Sequence, residues 1–524
     1  MEAVAEPPAP PPSPQLQGPA IPASPPLSPQ LQRPPSASAP LPVPQQQEAA
    51  ASAPPDPPVA CILRLVNKAT AAQFSRLQDR TIRLSLPVPH PEFVRRWGSL
   101  GAMRSLTREQ RSKLPYLTAR SGSIANLEVL RAGSDSITRC LMSLEVFEAA
   151  AGAGRLDVCR WLPQQGCPNF PWQHIMQAAA ARGGHQAVWE WLEADGYPWC
   201  ENTICAAARG GHVRPTNSLL GLSRMASWGG LLAAAAEGCD LAALQGLHHR
   251  AAMWLPHNSS YRDNVLASAA GSPKPDWRSK VEWLEGQGYP RTAAVCQDAV
   301  MQPGALARLE WLRQRGYPLS SLVAACAAWD GNLDALRFVL DEGVVLELVD
   351  LNTAVDTAVQ QGHPALLQVL HARGYDLSSS CLPSVTRRIG HLPVVAWLVE
   401  TLGAAAVLSV HTFAAAARSG SVQVVAWLLE RGCLWDGSAF TAAAAAGCEE
   451  QLEWLAAHGC PMEEDGSPFA EAARYDDMPT MLCLHRLGCP LGPRGSAAAQ
   501  TIGYGAKLDS PVLLWLAEWA GPAV

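Results

Sequence analysis

Residues able to do chemistry occur along this chain singly, without the partners that chemistry needs. Gly503-Tyr504-Gly505-Ala506-Lys507 is a fragment of a phosphate loop, but it lacks the spacing that lets a glycine-rich turn cradle phosphates ahead of its lysine. No nucleophile elbow, zinc-binding HExxH helix or acidic calcium loop occurs in the sequence. The acidic pairs Glu449-Glu450 and Glu463-Glu464 fall at turns and helix starts, where carboxylates favour the positive helix end. Fifteen cysteines include no CxxC pair, and spacings such as Cys200 to Cys205 and Cys483 to Cys489 suit zinc poorly. His185, His212, His363 and His391 each directly follow a glycine, which points to a repeated structural task rather than four separate sites. The expectation is therefore no catalytic residue, no cofactor and no metal, and a chain that is not an enzyme.

Those histidines lead to the elements that must position them. An Ala-rich run, a Gly, an apolar stretch ending in Trp-Leu and a second Gly recur, as in 147–168, 412–435 and 440–461. The first Gly of each phrase stands at 122, 154, 184, 211, 238, 271, 304, 331, 362, 390, 420 and 447, with Asp477 and Asp509 in the last two places. The intervals run from 27 to 33 residues, the mark of a solenoid. Alanine has the best helix propensity and little bulk, so each Ala run predicts a helix that lets its neighbours approach closely. Val422, Val424, Val425, Leu428 and Leu429 repeat at helical spacing after the turn, and predict a second helix ended by Gly432. Prolines 168, 198, 290, 318, 461 and 490 lie two residues past such stops, where a helix cannot continue.

These residues resemble the helical half of an ankyrin repeat. Arg209-Gly210-Gly211-His212-Val213 and Gln361-Gly362-His363 look like that family's inter-helix turn, and Val424 to Leu429 like its second helix. About fourteen units fit, over residues 116–524. The family's Thr-Pro-Leu-His start is replaced by phrases such as Phe440-Thr441-Ala442-Ala443, and the short units leave little chain for projecting fingers. The resemblance implies an all-α, ankyrin-like solenoid of stacked helix-turn-helix repeats, and places a structural histidine after the turn glycine. Pro215, Pro256, Pro273 and Pro275 interrupt the pattern, so a distorted stretch is expected at about 213–280.

Of the eighteen tryptophans, eleven fall into two groups. Trp161, Trp191, Trp283, Trp311, Trp397, Trp427, Trp454 and Trp515 share one register, before Leu in the second helix, and read as spacers between units. Trp172, Trp199 and Trp435 instead follow the second turn, where ankyrin proteins point residues towards ligands, and are the candidate partner-binding residues. Cys167, Cys433, Cys460 and Cys489 hold the place that Tyr197, Tyr289, Tyr317 and Tyr375 take in other units, so they read as packing thiols.

Outside the repeats, residues 1–57 are rich in Pro, Ala, Ser and Gln and read as a disordered tail. Residues 58–115 read as a helical cap, with Leu84, Leu86, Val88, Phe93 and Trp97 as its apolar face, or as a partial F-box-like segment around Val59 to Lys68. Net charge is −6 and only 16% of residues are charged, a balance that does not attract nucleic acid. No stretch is apolar for long enough to span a bilayer, so no membrane partner is expected. Free thiols and the lack of a secretory leader imply a cytoplasmic or nuclear setting. The function expected is a non-catalytic scaffold that binds other proteins on its concave face and turns. The alternative is a substrate receptor of a ubiquitin ligase, with residues 59–77 docking on its adaptor.

Overall fold

The computed structural model describes residues 83–493, apart from 100, 134–142, 166–172, 197–199, 215, 218–226, 253–260 and 378–388, together with 512, 515 and 516. The N-terminal tail, the F-box-like element at 59–77, Trp172 and Trp199 lie outside the described residues. Among the described residues every regular element is an α-helix.

One unit displays how the sequence builds the rest. Ser409 caps the helix Val410–Arg418, its Oγ accepting the Thr412 backbone N–H at 3.2 Å. Ala415, Ala416 and Ala417 of that helix are buried. Gly420, at φ +78°, reverses the chain in the left-handed region that glycine enters without strain. The second helix, Val422–Glu430, then lays Val424, Val425 and Leu428 against the first, each fully buried side chain contributing about 1.5–3 kcal/mol.

Successive first helices pack tightly along one another, while successive second helices touch only sparsely. The difference follows from side-chain bulk. Gly437–Ala446, with Ala442, Ala443 and Ala444 buried, packs closely on Val410–Arg418 and its buried Ala run. The second helices carry Leu and Trp, and Trp161, Trp191, Trp283, Trp311, Trp397, Trp427, Trp454 and Trp515 are all half-buried there. A close inner layer beside a wider outer layer makes each unit a wedge, and wedges curve the stack towards the first helices. Cys433, Cys460 and Cys489 are buried in the place where Tyr289 and Tyr317 are buried in other units. Burial pushes the Cys433 thiol up to about 11 and that of Cys460 to about 12, which keeps both protonated.

The curvature returns the chain to its own start. The helix Arg108–Ser121 opens with a capping box between Thr107 and Gln110. Arg111 of that helix donates to the Gly447 carbonyl at 2.5 Å and pairs with Asp477 at 2.5 Å, with both side chains buried. The Glu450 backbone N–H donates to the Arg104 carbonyl at 3.1 Å. The first unit thus lies against the turns of units more than 300 positions later.

Several local expectations meet a different outcome. Val88, Phe93 and Trp97 are buried in the cap, whereas Leu86 is 40% exposed. Asp477 does not take the turn glycine's conformation; Asp476 does, at φ +57°, and Asp477 begins the helix Met478–Arg486. Within 213–280 the described residues form Trp228–Gly238, Leu241–Ala251, Tyr261–Ala270 and the start of Trp277–Gly286. Two buried cations hold this stretch. Lys280 Nζ donates to the Ala236 carbonyl at 3.1 Å and to Ser272 Oγ at 2.9 Å. Arg308 donates to the carbonyls of Ala270 and Ser272.

Candidate functional site

At six turns the residue after the turn reaches back to the unit before it. Arg155 Nε donates to the Arg120 carbonyl at 2.9 Å, His185 Nε2 to Gly152 at 3.1 Å, His212 Nε2 to Arg182 at 3.1 Å and His391 Nε2 to Gln360 at 3.0 Å. Cys239 Sγ and Ser272 Oγ do the same towards Ala208 and Glu237, at 3.3 and 2.6 Å. Different side chains meet one need, because the last carbonyls of a helix have no partner within it. The structural reading of His185, His212 and His391 agrees with these bonds.

The bonds from Arg155, His185, His212 and His391 end on one register, two residues before the turn glycine. Arg120, Arg182, Arg209, Trp329, Gln360 and Arg418 occupy that register, with Arg474 in the same relation to the left-handed Asp476, and all are exposed, as is Tyr475 one place further on. Trp329 is 59% exposed and Tyr475 42%, unusual values for large aromatic rings. Gly152 and Ala445 take the same place in their units, and the buried Ala236 and Ala269 interrupt the row in the middle. The result is a rim of guanidinium groups and aromatic rings on the inner edge of the stack.

Neighbouring groups shape this rim. Arg209 pairs with Glu237 at 2.8 Å, both partly exposed, a pair of small net value. The Arg108 guanidinium lies 3.1 Å from the centroid of the Tyr475 ring, and Arg474 lies 5.4 Å from it. Arg418 lines a cavity of about 500 Å³ with His411, Ala414, Ser438, Thr441 and Glu463. Elsewhere on the first helices, burial is the main cause that raises the carboxyls of Glu148 and Asp298 above their usual range, with Glu145 and Glu237 adding to it.

Of the candidate partner-binding residues, only Trp435 lies among the described ones. It is half-buried, and its ring meets Phe413 edge-on at 5.1 Å between centroids. The rim register was missed because its residues differ in type. Counting two positions back from each turn glycine would have found it. Among the described residues, no cluster of His, Cys, Asp and Glu is arranged to hold a metal ion, and no helix is long and apolar enough to cross a membrane.

No family model matches this chain, and no curated protein matches it. Solved structures do. The pentatricopeptide repeat protein PPR10 from maize is 13% identical, over 88% of this chain and 72% of that one, with a TM-score of 0.23. The same repeat protein in complex with an 18-nt psaJ RNA element is 14% identical, over 89% and 83%, with a TM-score of 0.24. A cysteine-to-serine variant with the same RNA element gives the same values. At this identity and TM-score the likeness is to a stack of helix pairs and goes no further.

Two expectations are corrected at this point. The protein-binding scaffold, with its ubiquitin-ligase alternative, and the exclusion of nucleic acid both run against neighbours of which two hold RNA. The physical reason lies in the charge argument. A net charge of −6 is a sum over 524 residues, whereas attraction of a polyanion follows the local field, and the arginines of the rim recur in phase.

Proposed function

We propose that this chain is a non-catalytic helical-repeat protein that binds single-stranded RNA along its inner rim. The observation that carries the reading is the exposed register of Arg120, Arg182, Arg209, Trp329, Gln360, Arg418 and Arg474, with the exposed Tyr475 beside its last member. Guanidinium groups pair bidentately with phosphate, and exposed aromatic rings stack on bases of any identity. Packed helices stand about 8–10 Å apart, so a strand following the rim advances one or two nucleotides per unit. A flexible single strand follows such a curve, whereas a duplex with a persistence length of about 150 base pairs does not.

We read the units as short ankyrin-like repeats, because the imidazole after the turn glycine bonds the preceding unit's backbone at His185, His212 and His391. The free thiols among the described residues suit a reducing compartment, the cytoplasm or the nucleus.

The test is fluorescence anisotropy of a labelled oligouridine RNA across a salt series. Each neutralised phosphate of a single strand contributes about −0.7 to the slope of log affinity against log salt, so replacing Arg182, Arg209 and Arg418 by Ala should flatten that slope by about 2. Trp329→Ala should weaken binding by about 1–3 kcal/mol with the slope unchanged. Failure of the wild type to bind RNA at low salt, or an unaltered slope in the triple variant, overturns the proposal.

A further inference from the structure

We infer that the contact between the first unit and the late repeats is a reversible, ionic-strength-sensitive clasp that closes the superhelix on itself. This reading stands independently of the ligand proposed above.

Three observations support it. The first is that the two sides of the contact belong to separate apolar cores, one running from Val88 to Leu192 and the other from Ile204 to Leu516. Each side keeps its own buried surface when the contact opens. The second is that the contact itself is polar. Arg104 pairs with Glu453, with Glu449 3.6 Å away, and Arg486 pairs with the same Glu453 at 2.6 Å. Arg111 bonds Asp477 and the Gly447 carbonyl, and Cys448 Sγ lies 3.7 Å from the Arg104 carbonyl. Contacts of this kind between folded units resemble transient interfaces rather than obligate ones. The third is that the closest approach depends on glycine. A Cβ at Gly420 would collide with the Thr107 methyl, and one at Gly447 would lie 2.5 Å from the Asp477 carboxylate and 3.0 Å from Arg111 Nη2.

The charges divide by depth. Arg111 and Asp477 are 7% and 5% exposed and are shielded from salt, whereas Arg104, Glu453 and Arg486 are 41%, 33% and 54% exposed. The Debye length falls from about 10 Å at 0.1 M to about 3 Å at 1 M salt, so the outer pairs weaken across that range. The open state then differs from the closed one by small rotations spread over the units between the two sides, each of which packs only on its neighbours.

The experiment uses the full chain, with fluorophores on unnatural residues at exposed positions 113 and 464. Energy transfer and small-angle scattering are read together with helical circular dichroism. Wild type should lose most of its transfer and gain radius of gyration between 0.1 and 1 M salt, with helix content constant. Arg104→Glu should do so already at low salt, and Glu453→Arg added to it should restore transfer. Arg111→Ala should open the clasp at both salts. If Arg111→Ala unfolds, the exposed Arg104 and Glu453 pair decides. Transfer and radius that stay at wild-type values in Arg104→Glu, at intact helix content and at every salt, overturn the clasp.

Discussion

Replacing Ala443 by Leu tests the claim that the inner layer is closed by alanine's lack of bulk. Ala443 is fully buried in Gly437–Ala446, flanked by Ala442 and Ala444, and that helix packs on Val410–Arg418 with its buried Ala415, Ala416 and Ala417. Leucine matches alanine closely in helix propensity, so the change acts through volume alone. Three added carbons in a full layer cost about 1–3 kcal/mol of overpacking. Ala414 is the control. It belongs to the same helix as the Ala run but is half-buried and lines the open cavity beside Arg418, so Ala414→Leu finds room and should stay within about 0.5 kcal/mol of wild type. Urea unfolding followed by circular dichroism compares the two variants at equal slope, as repeat arrays unfold in coupled units. The wedge argument adds a second readout. A larger residue in the inner layer flattens the local curve, so Ala443→Leu should also raise the radius of gyration and separate Arg111 from Asp477. Equal midpoints for Ala443→Leu and Ala414→Leu refute the account of the inner layer.

Two further outcomes follow from buried groups. The Lys280 ammonium is fully buried, and burial lowers its pKa against the opposing pull of Asp276. The native state then binds fewer protons than the unfolded chain between that lowered value and the ordinary lysine value of about 10.4. Stability should therefore rise with pH through that window and lose the rise in Lys280→Met, measured by urea midpoints at stepped alkaline pH. Phe413 is fully buried against the Trp435 ring, so Phe413→Ala should cost about 3–5 kcal/mol by urea unfolding and increase acrylamide quenching; a loss below 1 kcal/mol refutes the packing role.

The unit was legible because its signals are local. An Ala run, a glycine and an apolar stretch at helical spacing are each read within one helix length, and they gave Val410–Arg418 and Val422–Glu430 with their turn at Gly420. The interchange of Cys433 and Tyr317 was legible for the same reason, as both fill one recurring space. Closure was not legible. It is the sum of small rotations over many units, and nothing near Arg111 announces Asp477 366 positions away. The interlock was only half visible. His185 and His212 look alike in the sequence, but Arg155, Cys239 and Ser272 perform the same bond with unlike side chains. The shift of the late turn to Asp476 was hidden because Asp477 holds the expected spacing, whereas it is Asp476 that takes the left-handed conformation.

The rim and the clasp meet at one residue, which makes them parts of a single arrangement. Most of the inner layer is committed to alanine by packing, and the position after the turn is committed at six turns to bonding the unit before it. The register two residues before the turn is what remains free to vary, and it holds Arg, Trp and Gln. Arg474 is the last described member of that rim, the exposed Tyr475 stands beside it, and the second cation over the Tyr475 ring is Arg108 of the first unit. An open superhelix would keep Arg182, Arg209, Trp329 and Arg418 in place but would strip Arg108 from Tyr475. The end of the rim is therefore completed only when the chain has closed on itself, and a ligand that engages Tyr475 together with Arg108 binds the closed form alone. Such a ligand draws the clasp shut by its differential affinity for the two states.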